Sequence, residues 1–228
     1  MDEIGLFEAI YSARALRRFK PDPVPDEVIT RVLDAAIRAP SGSNQQHWLF
    51  VVVKDAELRR KLSAIYHKSS QLMMKFYANR PRPAHMSEQE QNRLLKSASY
   101  LFENMHEAPI LLLACLKQEG ASAPQNLPPD LAEKMRGLQR TSGSSIYPAV
   151  QNIILACRAF GLGTVLTTLH LLHEDEVKAV VGLPPEVQTY ALLPIGYPHG
   201  KFGPVKRKPV SEVAFLDRYG NPWKGKAE

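Results

Sequence analysis

Apolar residues recur at Val28, Ile29, Val32, Leu33, Ala36 and Ile37 between Pro25 and Pro40. That three-to-four spacing lays one stripe along a helix. Asp26 and Glu27 stand in the first turn, where the helix dipole favours anions. The pattern predicts an amphipathic helix that stops at Pro40. After a polar loop, Leu49-Phe50-Val51-Val52-Val53 forms an unbroken apolar run of strand length, which predicts a central strand covered on both faces. A second such run, Ile110 to Leu116, follows Pro109. Pro148 then opens a helix whose Val150, Ile153, Ile154, Cys157 and Phe160 share a face, and Gly161 and Gly163 close it. The β-branched stretch Thr164-Val165-Leu166-Thr167-Thr168 and the run Tyr190 to Tyr197 predict a third and a fourth strand, with a short helix from Glu174 to Val181 between them.

Helices wrapped on one small mixed sheet follow from this order. Two stretches do not fit it. Residues 67–95 carry Pro81, Pro83 and many polar side chains, and residues 118–145 carry Pro124, Pro128, Pro129 and Gly143 with weak periodicity. Long, poorly patterned insertions in a compact domain read as lids or interface arms. Residues 202–228, with three prolines, read as an extended C-terminal arm. No repeat or low-complexity tract divides the chain, so residues 1–228 are expected to form one domain.

Composition narrows the function classes. Apolar residues make up 44% and charged residues 23%, which supports a sizeable core and excludes disorder over most of the length. The formal net charge is +6, but the basic residues are scattered with no Lys/Arg run interleaved with aromatics. An anionic small ligand is therefore expected in place of a nucleic acid. The two cysteines, Cys115 and Cys157, lie inside apolar patterns and read as buried small hydrophobes. Met1 to Gly5 shows no basic segment leading into an apolar core, and no run reaches the ~20 apolar residues of a membrane span, so a cytoplasmic setting is expected with no membrane.

Protein-borne catalytic constellations are absent. The seven histidines have no metal-ligand spacing, and there is no G-x-S-x-G elbow, G-x-G-x-x-G or P-loop. Gly161-Leu162-Gly163 ends a helix and reads as a C-terminal cap. Such a chain would borrow its reactivity from a cofactor. Four segments bear on which one: Ala13-Arg14-Ala15-Leu16-Arg17-Arg18-Phe19, the loop Ala39-Pro40-Ser41-Gly42-Ser43-Asn44-Gln45-Gln46-His47-Trp48, the helix and strand Ala156 to Thr168, and Leu193 to Pro198 followed by Lys206-Arg207-Lys208-Pro209. Forked guanidinium donors suit a phosphate, and small loop residues let backbone approach a flat ring.

In that order, these segments resemble the flavin mononucleotide (FMN)-dependent nitroreductase family, from Tyr11 to about Val213. The resemblance implies an α+β, three-layer α/β/α fold with a small, mixed but mostly antiparallel sheet, in an intertwined homodimer with FMN at the subunit interface. Arg14, Ala15, Arg17 and Arg207 would hold the FMN phosphate. Pro40, Ser41, Gly42, Ser43 and Asn44 would lie against the flavin, and the backbone from Leu166 through Thr167 and Thr168 to Leu169 would face the isoalloxazine edge. NAD(P)H would reduce the flavin, which would then reduce a nitroaromatic, a quinone or an activated alkene by a ping-pong scheme with no side chain as catalytic acid. Departures occur at Ala13, where arginine is common, at Ala15, where serine is common, and at His47, where a proline normally precedes the tryptophan. Thr164 to Thr168 resembles the dehalogenase branch, so a reductive dehalogenase of the iodotyrosine type or a flavin-cleaving relative stays open, as does a non-catalytic flavin carrier.

Overall fold

Strand β2 (Ile110–Lys117) is buried on both faces, and its alternate side chains enter two separate cores. Ile110, Leu112, Ala114 and Leu116 join α2 (Asp26–Ala36) and α5 (Tyr147–Ala159) on one side of the sheet. Leu111, Leu113 and Cys115 join α3 (Ala56–Ala78), α4 (Glu88–Asn104) and α6 (Glu174–Val181) on the other. Helices thus cover both faces, giving the three-layer arrangement expected. Each fully buried leucine of the central strand contributes roughly 1.5–3 kcal/mol.

The computed structural model describes residues 4–78, 80–117, 131 and 141–225. Its sheet has the order β1-β2-β4-β3, with β1 at Trp48–Val53, β3 at Gly163–Thr164 and β4 at Val187–Gly196. All three described pairings are antiparallel, and no parallel strand completes a mixed sheet among the described residues. A short helix α1 (Leu6–Ser12) precedes the sheet.

Three segments differ from the sequence reading, each for a local reason. Residues 67–95, expected as a poorly patterned insertion, are the end of α3, a short turn and the start of α4. The core-facing stripe of α3 ends near Tyr66, and Leu72, Met74 and Phe76 are 52%, 44% and 66% exposed, so the amphipathic signal fades although the helix continues. Ser87 and Glu90 form a reciprocal capping box that starts α4. The third strand is interrupted: Gly163 and Thr164 pair with Gly196 and Ile195, the ladder lapses at Val165 and Leu166, opposite Pro194 with its missing N–H, and Thr167 bridges Leu192 in the same register. The insertion at 118–145 lies outside the described residues apart from Leu131 and residues 141–145. Beyond residue 202 the arm is extended and mostly exposed, with a single turn at Val210–Glu212 and a bridge between Phe215 and Pro222.

Candidate active site

Arginines from the N-terminal stretch reach the site because the backbone between them docks on the sheet edge. Leu16 and Phe19 are buried. The Leu16 N–H donates to the Thr164 carbonyl at 3.2 Å, the Lys20 N–H to Tyr197 at 2.8 Å and the His199 N–H to Arg18 at 3.1 Å. Gly163 permits this approach, since a Cβ there would lie 2.9 Å from the Pro198 Cβ and 3.1 Å from the Leu16 Cβ. At the other end of the chain the Val205 N–H donates to the Tyr11 carbonyl at 3.1 Å. Arg158 braces this corner, donating to the Ser12 hydroxyl at 2.7 Å and to Glu8 at 3.0 Å while stacking over Phe202.

These contacts bring Arg14, Ala15, Arg17 and Arg207 to one cleft of about 610 Å³, to which the sequence reading had not assigned Arg93 and Lys206. Among the described residues, Glu90 is the only carboxylate lining it. The hydrogen bond from Lys206, and then those from the Ser87 backbone and hydroxyl, push its pKa down to about 2. Glu90 is therefore ionised and committed to Lys206 and the helix cap. Arg14, Arg93 and Arg207 have no carboxylate partner among the described residues. Arg18 is not part of the cleft; its guanidinium stacks over Tyr100 at 4.2 Å.

Arg17 and Leu94 also line a second, largely apolar cavity of about 400 Å³. Leu166, Thr167, Thr168 and Leu169 line it together with Met74 and Tyr77 of α3, Leu95 of α4 and Met86 of the turn between them. Arg17 occupies the junction instead of joining Arg14 and Arg207 wholly on the phosphate side. Its guanidinium is desolvated, which lowers its pKa, and donates to the Ser97 hydroxyl at 3.4 Å. Tyr66, at the cavity's inner end, is pushed up to about 12 by burial and hydrogen-bonds Thr167. The Thr167 hydroxyl in turn donates to the Leu192 carbonyl at 2.6 Å, which ties this residue to β4 where the ladder resumes.

The loop Pro40 to Asn44 lines neither cavity. Ser43, Asn44 and Gln46 all adopt left-handed φ, at 50°, 53° and 56°, a conformation that costs L-residues roughly 1–2 kcal/mol each. The Gly42 N–H donates to the Ser145 hydroxyl and the Gln46 N–H to the Ser41 hydroxyl, both at 3.0 Å. The His47 carbonyl accepts from Lys117 at 2.9 Å, so the residue standing in the usual proline position is tied to the end of β2. Several strained residues held by cross-loop bonds mark a functional loop, here one presented away from its own chain's cleft.

Other reactive groups are quiet. Burial pushes both the Cys115 and the Cys157 thiols up to about 12, which makes them inert. No cluster of metal-ligating side chains occurs among the described residues, and no helix is long and apolar enough to cross a membrane. Arg93 had a readable signal, because Glu90, Arg93, Leu94 and Ser97 fall at helical spacing on one face, but only once α4 is recognised as a helix. Tyr66, Met74 and Tyr77 had none, since helix stripes of this kind usually mean core.

Known proteins share both the sequence pattern and the fold. The chain is 26% identical over 225 residues to an NADH dehydrogenase of Thermus thermophilus, covering 90% of this chain and 92% of that one. A BluB-like flavoprotein from Clostridium difficile has a TM-score of 0.71 at 27% identity, over 94% of this chain and 100% of that one. An iodotyrosine deiodinase bound to FMN and 3-iodo-L-tyrosine has a TM-score of 0.68 at 27% identity, over 95% and 100%. The sequence model of the nitroreductase family matches residues 10–197, and with its docked arginine segment and its three-layer antiparallel core, the chain belongs to that family.

Proposed function

We propose that the protein is an FMN-dependent oxidoreductase that takes reducing equivalents from NAD(P)H and passes them to an electron-poor small molecule such as a nitroaromatic, a quinone or an activated alkene. The observation that carries this reading is the continuity, through Arg17, of a cationic cleft with an apolar cavity. FMN has the same polarity along its length: a dianionic phosphate, a ribityl chain and a flat ring. Three guanidiniums without carboxylate partners fit the phosphate, and charge-assisted bonds to it contribute roughly 1.5–3 kcal/mol each. Arg14, Arg93, Lys206 and Arg207 would hold it, with Arg17 between phosphate and ring and the backbone from Leu166 to Leu169 along the ring.

When bound, FMN supplies two-electron chemistry that no side chain here offers. The chain's own task is orientation. Met74, Tyr77, Met86, Leu94 and Leu95 make an apolar slot, open to solvent, for a planar partner, and Tyr66, whose phenol stays protonated, holds Thr167 in place. Reduction of a quinone to its hydroquinone consumes two electrons and two protons, which NAD(P)H and one solvent proton supply.

The site is incomplete in one chain. Pro40, Ser41, Gly42, Ser43 and Asn44 lie outside both cavities, while Leu6, Phe7 and Ile10 of α1 and Val213, Leu216 and Trp223 of the arm are exposed. Such a set of large apolar side chains is an interface composition. A homodimer in which the partner's loop closes the ring site, with the arm laid across the partner, satisfies both observations.

A reductive dehalogenase acting on a halogenated tyrosine is the second reading, favoured by the deiodinase likeness. An amino-acid zwitterion needs an anion for its ammonium group, and no carboxylate is among the described residues lining the apolar cavity. The purified protein should carry flavin absorbance that NAD(P)H bleaches anaerobically and that nitroaromatic or quinone restores, with parallel reciprocal plots in steady state. Colour without bleaching would identify a flavin carrier, and restoration by 3-iodotyrosine alone would identify the dehalogenase.

A further inference from the structure

The apolar cavity contains one charged group that the cofactor reading leaves unused. Arg80 lines it on the side away from the cationic cleft, of which it is not a part. The Arg80 N–H donates to the Tyr77 carbonyl at 3.2 Å, and its guanidinium lies over the Tyr77 ring at 5.5 Å. Pro81 and Pro83 follow directly and fix φ on either side of Arg82, so the segment that carries Arg80 is stiff. Arg82 is engaged with the Met86 carbonyl. The Arg80 guanidinium has no carboxylate or carbonyl partner among the described residues, and its one described contact is the Tyr77 ring, so its donors are available to a ligand.

We infer that Arg80 is the anion-recognising residue of the acceptor site, and that the acceptor class is a planar aromatic carrying a carboxylate. A guanidinium presents forked donors that match a carboxylate two-to-two. The surrounding Met74, Tyr77, Met86, Leu94 and Leu95 take the ring. Arg17, the other cation of the cavity, is held at the junction by Ser97 and faces the cofactor. The slot thus sorts partners by charge at its rim and by flatness within. This inference rests on the oxidoreductase reading for what happens to the bound aromatic, but not for the binding itself.

The test uses the FMN-loaded protein, its Arg80→Gln and Arg80→Lys variants, and the matched pair benzoate and benzamide titrated calorimetrically. The unaltered protein should bind benzoate at least about tenfold more tightly than benzamide, the margin of one charge-assisted pair. Arg80→Gln should abolish the difference and Arg80→Lys should keep part of it. In turnover, Arg80→Gln should lower kcat/KM for 4-nitrobenzoate about tenfold and leave 4-nitrobenzamide unchanged. Equal binding of the two ligands by the unaltered protein, or an equal loss for both in the variant, overturns the inference. So does slower flavin bleaching by NADPH but not NADH in Arg80→Gln with benzoate binding intact, which would assign the guanidinium to the donor's 2′-phosphate. Failure of either nucleotide to bleach the flavin would instead remove the oxidoreductase reading, while the benzoate–benzamide contrast would still report on Arg80.

Discussion

Arg207 reaches the cleft from nearly two hundred residues beyond Arg14, and its guanidinium has no carboxylate partner among the described residues. Replacing it by alanine removes a charge-assisted contact of roughly 1.5–3 kcal/mol, so FMN affinity should fall about tenfold or more; fluorescence titration of apoprotein with FMN reads this directly. His170 makes a different prediction. It is fully buried, neither ring nitrogen has a hydrogen-bond partner among the described residues, and burial lowers its pKa to about 4 from an ordinary 6.5, with Glu174 opposing. Between those values the unfolded chain binds the proton and the folded one does not. Stability is therefore fully present above pH 6.5 and is lost as pH falls toward 4, by roughly 3 kcal/mol in all. Urea melts at pH 7.5 and pH 5 should show this, and His170→Leu should flatten the pH dependence. At this scale the sequence was legible where chemistry is scarce: arginines beside a short apolar stretch, and Arg207 in a proline-bounded arm. Arg93, Arg80 and Tyr66 were illegible because each sits on a helix face where the same residue types usually serve solubility or packing.

Among the elements, those buried on one clear face were readable. The helix from Asp26 shows its stripe, and Leu49 to Val53 and Ile110 to Leu116 are unbroken apolar runs because both faces of the sheet are covered. Gly161 closes α5 as expected: it takes φ 70°, the Leu162 N–H returns to the Cys157 carbonyl at 2.7 Å and the Gly161 N–H to Arg158 at 3.2 Å, the paired bonds of a Schellman turn. The second half of α3 and the start of α4 were hidden because they line a cavity instead of a core, so no stripe is needed. The lapse in the third strand was hidden for another reason: Val165 and Leu166 keep the register of a strand beside β4, and the missing donor is in the partner strand, at Pro194. Gly163 joins this edge to the arginine segment. Gly163→Ala would push Leu16 and Pro198 apart by several tenths of an ångström, and should lower both thermal stability and FMN affinity, whereas Gly203→Ala, where a Cβ meets nothing within 4 Å, should change neither.

For the whole molecule, the strained loop at 40–46 and the exposed apolar residues of α1 and the arm are the surfaces that the proposed homodimer would cover. Sedimentation should find a dimer at the lowest concentrations at which flavin is retained, with an interface of the obligate class, above ~2,000 Å². Ser43→Pro should release flavin without unfolding the helical layers, because the loop's bonds to Ser41 and Ser145 lie outside both cores. The clasp between Tyr11 and Val205 has one more consequence, for biosynthesis. Arg14 leaves the ribosome long before Arg207, with both helical layers and the sheet encoded between them, so a nascent chain can assemble those layers before it can close its grip on a phosphate. Cofactor loading is thereby postponed until Arg207 has been made, and ribosome-stalled chains that stop short of Val205 should fold colourless.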